Sequence, residues 1–414
     1  MTRVVITGMG ALTPVGNTVE ESWQALTAGR SGIARITQFD PSNLKSEIAG
    51  EVKGFDPVAL FGARDARRMD RFTQFALAAT AQAVADSGID LSAIESQRVG
   101  VIMGTGVGGL STLVQETIKM TERGTRFISP HLIPMMLPDT APGKIAIEYG
   151  IRGPNLSIST ACASATNAIG EAAEMIRRGT IDVAVTGGAE AGIVEIALAG
   201  FGNMGALSSR NDEPEAASRP FEADRDGFVC GEGAGVLILE SEAHALARGA
   251  TIHAELVGYG SSADAHHITA PLETGEGAVI AMRAALESAG LNPEDIDYVN
   301  AHGTGTPLND SSETHALKLA FGEHAYDLQV SSTKSMTGHL LGAAGAIEAI
   351  FTALTVKTGI IPPTINYDTP DPECDLNYVP NTAREAEVNA AMSTSFGFGG
   401  HNACIIVGRY TNGR

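Results

Sequence analysis

Cys162 stands in the run Ser159-Thr-Ala-Cys-Ala-Ser164, where an extended pattern gives way to a small-residue helical one. The unpaired N–H groups and dipole of a helix N-terminus favour an anion. Such a position can bring a thiol from about 8.5 into the range of roughly 3.5–7.5, where its thiolate is available as a nucleophile. His302 opens His-Gly-Thr-Gly-Thr-Pro307 after a strand-like run, and His339 closes Lys334-Ser-Met-Thr-Gly-His339. Near the C-terminus, Phe396-Gly-Phe-Gly-Gly400 is a flexible turn able to offer backbone N–H groups. A thiol, two imidazoles and free N–H donors are the parts of nucleophilic catalysis, and their convergence is a rarer coincidence than any one of them. Taken singly, each also has a plain structural reading: a packed small hydrophobe, a histidine in a turn, a glycine-rich loop.

Strand-like runs at 4–7, 99–103, 181–185, 236–239, 255–257, 298–300 and 404–407 alternate with helical patterns, which predicts an α/β fold with buried sheets. The chain also repeats itself. Ala81-Gln-Ala-Val-Ala-Asp-Ser-Gly88 followed by Val99-Gly-Val-Ile-Met-Gly-Thr-Gly106 has a counterpart in Met282-Arg-Ala-Ala-Leu-Glu-Ser-Ala-Gly290 followed by Tyr298-Val-Asn-Ala-His-Gly-Thr-Gly305. In each, a helix stopped by glycine leads through an acidic loop into a strand and a Gly-Thr-Gly turn. Ser157-Ile-Ser-Thr-Ala-Cys162 and Ser331-Ser-Thr-Lys334 then each lead into a small-residue helix. Two related α/β halves, 1–250 carrying the cysteine and 251–414 carrying both histidines, are the simplest account. The repeat brings the two histidine turns to the same central seam as Cys162. Small residues on the two helices would let them pack closely at a pseudo-twofold axis.

Composition narrows the function classes. With 28 Lys+Arg against 48 Asp+Glu, the formal charge is −20, which argues against nucleic acid or an anionic membrane as the main partner. The chain is 43% hydrophobic and 18% charged, a globular balance. The apolar stretch 343–354 is broken by Glu348 and reads as too short to span a bilayer. Cys162, Cys230, Cys374 and Cys404 show neither paired CxxC nor metal-ligand spacing, so a soluble protein of a reduced, cytoplasmic compartment is expected, with no metal. Gly104-Thr-Gly-Val-Gly-Gly109 matches GxGxxG but lacks the strand-ending acid about twenty residues on, and Glu122 reads as part of a turn. His266-His267 has no further ligand at metal spacing. Asp224-Arg-Asp-Gly-Phe228 reads as a structural turn with internal ion pairs. One stretch departs from the average: Arg64, Arg67, Arg68 and Arg71 lie within eight residues, with Arg123 and Arg126 further on.

Taken together, Ser159–Ser164, 302–307, Lys334-Ser-Met-Thr-Gly-His339-Leu-Leu-Gly-Ala-Ala-Gly345 and Gly397-Phe-Gly-Gly400 resemble a β-ketoacyl-acyl-carrier-protein synthase, most closely the elongating synthase II type of bacterial fatty-acid synthesis. The similarity runs along essentially the whole chain. It implies a thiolase-like fold, layered α-β-α-β-α, usually as a homodimer. It further implies that Cys162 holds the acyl chain and that the N–H groups of Cys162 and Phe398 form the oxyanion hole. His302 and His339 would stabilise the enolate left by decarboxylated malonyl carrier, with Lys334, paired to Glu348, beside them. Thr304 and Thr306 would hold the phosphopantetheine arm, which arrives on the acyl carrier protein, so no cofactor of the chain's own is implied. Val107 and Phe201 would line or close the acyl tunnel, with Val107 leaving room for medium to long chains, and Phe398 would gate it. Carrier docking falls on Arg64, Arg67, Arg68 and Arg126, whereas Gly205 stands at a docking position without a charge. A polyketide-type ketosynthase shares this chemistry. A thiolase would carry a second catalytic cysteine in the last glycine-rich turn, and a silent chain-length partner would lack Cys162.

Overall fold

The computed structural model describes residues 2–411. The strands of its main sheet are β1 (Val4–Leu12), β2 (Val99–Gly104), β3 (Asn155–Ile158), β4 (Val183–Glu190), β5 (Gly233–Ser241), β6 (Ala254–Ala263), β7 (Tyr298–Asn300), β8 (Gln329–Ser331), β9 (Ala390–Gly397) and β10 (His401–Gly408). They form one ten-stranded sheet in the order β8-β7-β9-β10-β6-β1-β5-β4-β2-β3. From its centre outward, the sheet reads β1-β5-β4-β2-β3 on one side and β6-β10-β9-β7-β8 on the other. On both sides the first two pairings are antiparallel and the next two parallel. The repeat seen in sequence is thus a repeat of topology. The halves meet at a short antiparallel pairing of Val5 with Glu255 and Ile6 with Ala254, a continuity between them that sequence did not show.

The helices that matter here are α1 (Arg71–Ser87), α2 (Ser164–Arg177), α3 (Glu276–Ala289), α4 (Pro307–Phe321) and α5 (Ala344–Thr358). α2 and α5 pack on each other and on strands of both halves, while α1 covers β1 and β5, and α3 covers β6 and β10. The layers are therefore α-β-α-β-α. Close approach in the middle layer depends on small residues: Ala165, Ala168, Ala172 and Ala173 of α2 are fully buried, and a Cβ at Gly345 of α5 would overlap Thr166 Oγ1. The matching outer helices stop in the same way, at Gly88 (φ 61°) and Gly290 (φ 66°), where the left-handed backbone favours glycine.

Two local expectations are corrected. Glu122 lies within the helix Leu110–Arg123 rather than in a turn. The apolar segment at α5 is longer than its sequence pattern indicated: Leu341–Thr358 is by length and composition sufficient to cross a membrane, yet 83% of it is buried. It is the core helix of the middle layer.

Candidate active site

Cys162 sits where the middle layer meets the end of the sheet. β3 ends at Ile158, Ala161 takes a left-handed φ of 50°, and one 3-10 turn over Ala161–Ala163 leads into α2. The thiol is free. Gly397, at the end of β9, lies against this turn; a Cβ there would fall 2.7 Å from the Thr160 carbonyl oxygen and 3.0 Å from the Cys162 nitrogen. Only glycine lets the Gly397–Gly400 turn come this close, and Gly399 and Gly400 continue it at φ 86° and 74°. The result places the backbone N–H groups of Phe398 and Cys162 at the sulfur, where both favour the thiolate.

The expected low thiol pKa is not what the folded site produces. Burial pushes the Cys162 thiol up to about 11, outweighing the Lys334 charge and the two N–H groups that pull it down. The helix terminus is real, but removal of the sulfur from water dominates. The other cysteines are buried thiols without such donors, and each is pushed up by burial.

His302 follows β7 and His339 follows a short helical turn, Lys334–Thr337, that ends at Gly338. Both are 2% exposed. The thiol of Cys162 and ring nitrogens of His302 and His339 all lie within 4.8 Å of one another. Such a donor set is also close enough to grip a metal ion, a property that spacing along the chain did not reveal. Burial, then the Lys334 ammonium, holds both imidazoles well below their ordinary range, so both are neutral. Lys334 forms a fully buried ion pair with Glu348. An aromatic chain links the site: Phe398 to Phe201 (6.5 Å between centroids), Phe201 to Phe228 (5.4 Å), and Phe228 edge-on to His339 (5.4 Å).

Sequence reasoning missed several buried acids. Glu313 of α4 accepts the backbone N–H of His302 at 2.8 Å and that of Gly303 at 2.7 Å. Burial raises its carboxyl to about 7. Asp310 accepts the N–H of Gly305 and Phe221, and Glu190 accepts those of Gly106, Val107 and Gly342. The spacing Asp310, Glu313, Thr314, Leu317, all buried, was the available signal: one helix face mixing acids with apolar residues. The ion pairs expected inside Asp224–Phe228 run elsewhere. Arg225 reaches Asp371 and Asp310, and donates to the Pro307 carbonyl at 3.1 Å.

One cavity of about 510 Å³ opens over Cys162, His302 and His339. Val107, Phe201, Thr304, Thr306 and Phe398 line it, and so does Gly205. Thr304 and Thr306 face each other, with 3.0 Å between hydroxyl oxygens. Gly205 has φ 74°, a backbone that L side chains rarely adopt. Of the basic cluster, Arg64, Arg67 and Arg126 are exposed and Arg68 is half-buried. Arg71 points inward instead, paired with buried Glu232 at 2.7 Å and stacked over Phe75.

Comparison with known proteins agrees with this geometry. The β-ketoacyl synthase N-terminal domain model matches residues 1–245 and the C-terminal domain model matches 253–368. The chain belongs to the β-ketoacyl synthase family. As a member it is an acyltransferase of the condensing type. It is 50% identical over 408 residues to 3-oxoacyl-[acyl-carrier-protein] synthase 2 of Synechocystis sp., covering 99% of this chain and 98% of that one. A Staphylococcus aureus synthase of the same name is 51% identical over 402 residues, covering 97% and 100%. Among solved structures, a β-ketoacyl synthase from Burkholderia phymatum superposes with a TM-score of 0.93 at 39% identity, covering 99% and 100%. A type II PKS acyl-carrier protein in complex with its ketosynthase matches with a TM-score of 0.92 at 35% identity, covering 99% and 100%.

Proposed function

We propose that the protein catalyses the decarboxylative Claisen condensation of fatty-acid elongation, joining an acyl chain held on Cys162 to malonyl-acyl carrier protein. The carrying observation is the convergence of one thiol and two neutral imidazoles within 4.8 Å at the floor of a single cavity. In the first step the Cys162 sulfur displaces the carrier thiol from an acyl thioester, and the carrier leaves as its free thiol. The N–H groups of Cys162 and Phe398 receive the tetrahedral oxyanion. Malonyl carrier then binds through its phosphopantetheine arm, held by Thr304 and Thr306. Loss of CO₂ leaves an enolate, whose oxygen takes N–H bonds from His302 and His339. The enolate carbon attacks the Cys162 thioester, the C–S bond breaks, and the released thiolate takes up a proton. The product is a 3-oxoacyl carrier two carbons longer.

In this reading residues 1–250 supply the nucleophile and residues 251–414 the enolate-stabilising pair. Lys334, anchored by Glu348, supplies positive potential, while Val107 and Phe201 shape the acyl tunnel and Phe398 gates it. The exposed Arg64, Arg67 and Arg126, with Arg68, dock the acidic carrier, as far as a chain lacking charge at Gly205 permits. Homodimerisation is supported by exposed Ile118, Phe127, Ile133, Ile147 and Leu156, the last on the free edge strand β3. The cytoplasm, where carrier-bound intermediates are made, is the compartment proposed.

The identities of 50% and 51% to proteins named 3-oxoacyl-[acyl-carrier-protein] synthase 2, against 35% to the type II PKS ketosynthase structure, favour the fatty-acid reading. Cys404 is fully buried within β10, so it does not serve as a thiolase's second cysteine. Incubation with an acyl carrier thioester and malonyl carrier, followed by mass analysis, should yield the 3-oxoacyl carrier, with a rate that falls as salt rises. Acyl loading without any condensed product would overturn the reading.

A further inference from the structure

The fold builds the nucleophile's turn twice. Ala161-Cys162-Ala163 enters α2 through a 3-10 turn with Ala161 at φ 50°, and Leu341-Gly342-Ala343 enters α5 through the same turn with Leu341 at φ 49°. Gly342 therefore takes the place of Cys162 in the second half. Ladder register adds another equivalence. Val183 of β4 pairs with Val99, the first residue of β2, and Ala391 of β9 pairs with Tyr298, the first residue of β7. Counting the same distance on from each reaches Glu190, the last residue of β4, in one half and Phe398, the residue just after β9, in the other. Where Phe398 and Cys162 leave N–H groups at a reactive sulfur, the copy of that arrangement contains a carboxylate.

The carboxylate is held on every side. Glu190 Oε2 accepts the N–H of Gly342 at 2.9 Å and of Gly106 at 2.6 Å, while Oε1 accepts the Thr105 hydroxyl at 2.8 Å and the Val107 N–H at 3.2 Å. Glu190 is fully buried. Burial pushes the Glu190 carboxyl above its ordinary range, and the four converging donors, which favour the acceptor-only carboxylate, pull it back. The ties cross the seam: Gly106 and Val107 belong to the first half's Gly-Thr-Gly turn, and Gly342 follows Leu341 of the second. Gly106, Val107 and Leu341 all line the cavity. Beyond Val107, the Gly108 N–H donates to Thr105 Oγ1 at 3.2 Å, so the turn is tied to the same threonine that donates to Glu190.

The geometry points to Glu190 as a positioning residue for acyl-chain selection. It is an internal acceptor seated in the second copy of the oxyanion hole, fixing the Val107 wall of the chamber against the Leu341 wall. The inference rests on reading this cavity as the acyl chamber. Glu190→Gln keeps the shape but replaces one acceptor oxygen with an NH₂ that faces N–H donors, so the two walls lose their fixed separation.

The test is a competition among carrier-bound acyl donors of graded length, read by intact mass of the loaded enzyme, with KM and kcat for each donor. Glu190→Gln should lower discrimination between the preferred donor and its longer neighbours by about tenfold, mainly through KM. Thr105→Val, which removes the hydroxyl that donates to Glu190 and accepts the Gly108 N–H, should flatten the profile in part, and Thr105→Ser, which keeps both bonds, should restore it. A merely structural loss would lower all lengths alike. If Glu190→Gln does not fold, the Thr105 pair decides. A wild-type length profile in Glu190→Gln, or in Thr105→Val, would overturn the proposal for Glu190 alone. Wild-type enzyme that takes no acyl group at any length would instead overturn the reading of the site.

Discussion

The rings of His302 and His339 meet edge to face, 5.2 Å between centroids and 86° between planes. His302 Nδ1 and both ring nitrogens of His339 have no hydrogen-bond partner among the described residues. A neutral imidazole still carries one N–H, so the pair can receive a developing enolate oxygen without first gaining a proton. Removing one such donor costs about 2.7–4 kcal/mol in comparable sites. His302→Ala and His339→Ala should each acylate Cys162 within a few-fold of wild type, yet decarboxylate malonyl carrier about 10²–10³ more slowly. Release of labelled CO₂ measures this, and undiminished release in both variants would remove the enolate role.

The same burial makes the protein acid-sensitive. Both histidines have folded-state pKa values below the ordinary 6.5, so the unfolded chain binds more protons than the native one as pH falls. Their neutral state contributes stability that is complete above the unfolded value and declines below it, by about 1.4 kcal/mol per pH unit for each ring. The melting temperature of wild type should therefore fall faster between about pH 6.5 and pH 5 than that of a His302→Gln/His339→Gln double variant. Parallel curves would show that the rings are charged in the native state.

Lys334 and Glu348 separate stability from reactivity. Lys334→Met leaves a buried carboxylate unpaired and should destabilise the fold by about 3–5 kcal/mol. The double variant Lys334→Met/Glu348→Met should recover most of that loss, because it buries no lone charge. Both variants lack the cation that lowers the Cys162 thiol pKa. Alkylation by iodoacetamide at about pH 8 should accordingly be slower than in wild type, even where stability is regained. Wild-type reactivity in the double variant would confine Lys334 to a structural part.

Val107 is 39% exposed and faces the cavity. Val107→Phe should fill that wall and shorten the acyl chains accepted, with long donors losing at least tenfold in kcat/KM and short ones little changed. Uniform loss across lengths would place the tunnel elsewhere.

These predictions mostly concern residues whose chemistry was visible in order along the chain: Cys162, His302, Lys334, His339 and the Gly397–Gly400 turn. The duplicated fold was legible because glycine stops at Gly88 and Gly290 and the two Gly-Thr-Gly turns are local features that sequence displays directly. Features that depend on burial were not. Nothing local shows that desolvation outweighs a helix terminus at Cys162, or that Arg71 leaves the basic cluster to meet Glu232. Glu190 was invisible for the same reason: its donors lie in Gly106, Val107 and Gly342, which only the closed seam brings together. Short strands β3 and β8 acquire their state from neighbours on the sheet rather than from their own pattern.

The central claim is that Cys162 is the atom that carries the acyl chain. Intact-protein mass spectrometry after incubation with an acyl carrier thioester should show wild type heavier by one acyl group and Cys162→Ala unchanged. Subsequent malonyl carrier should return the wild-type mass to its starting value. An acyl adduct on Cys162→Ala would contradict the account.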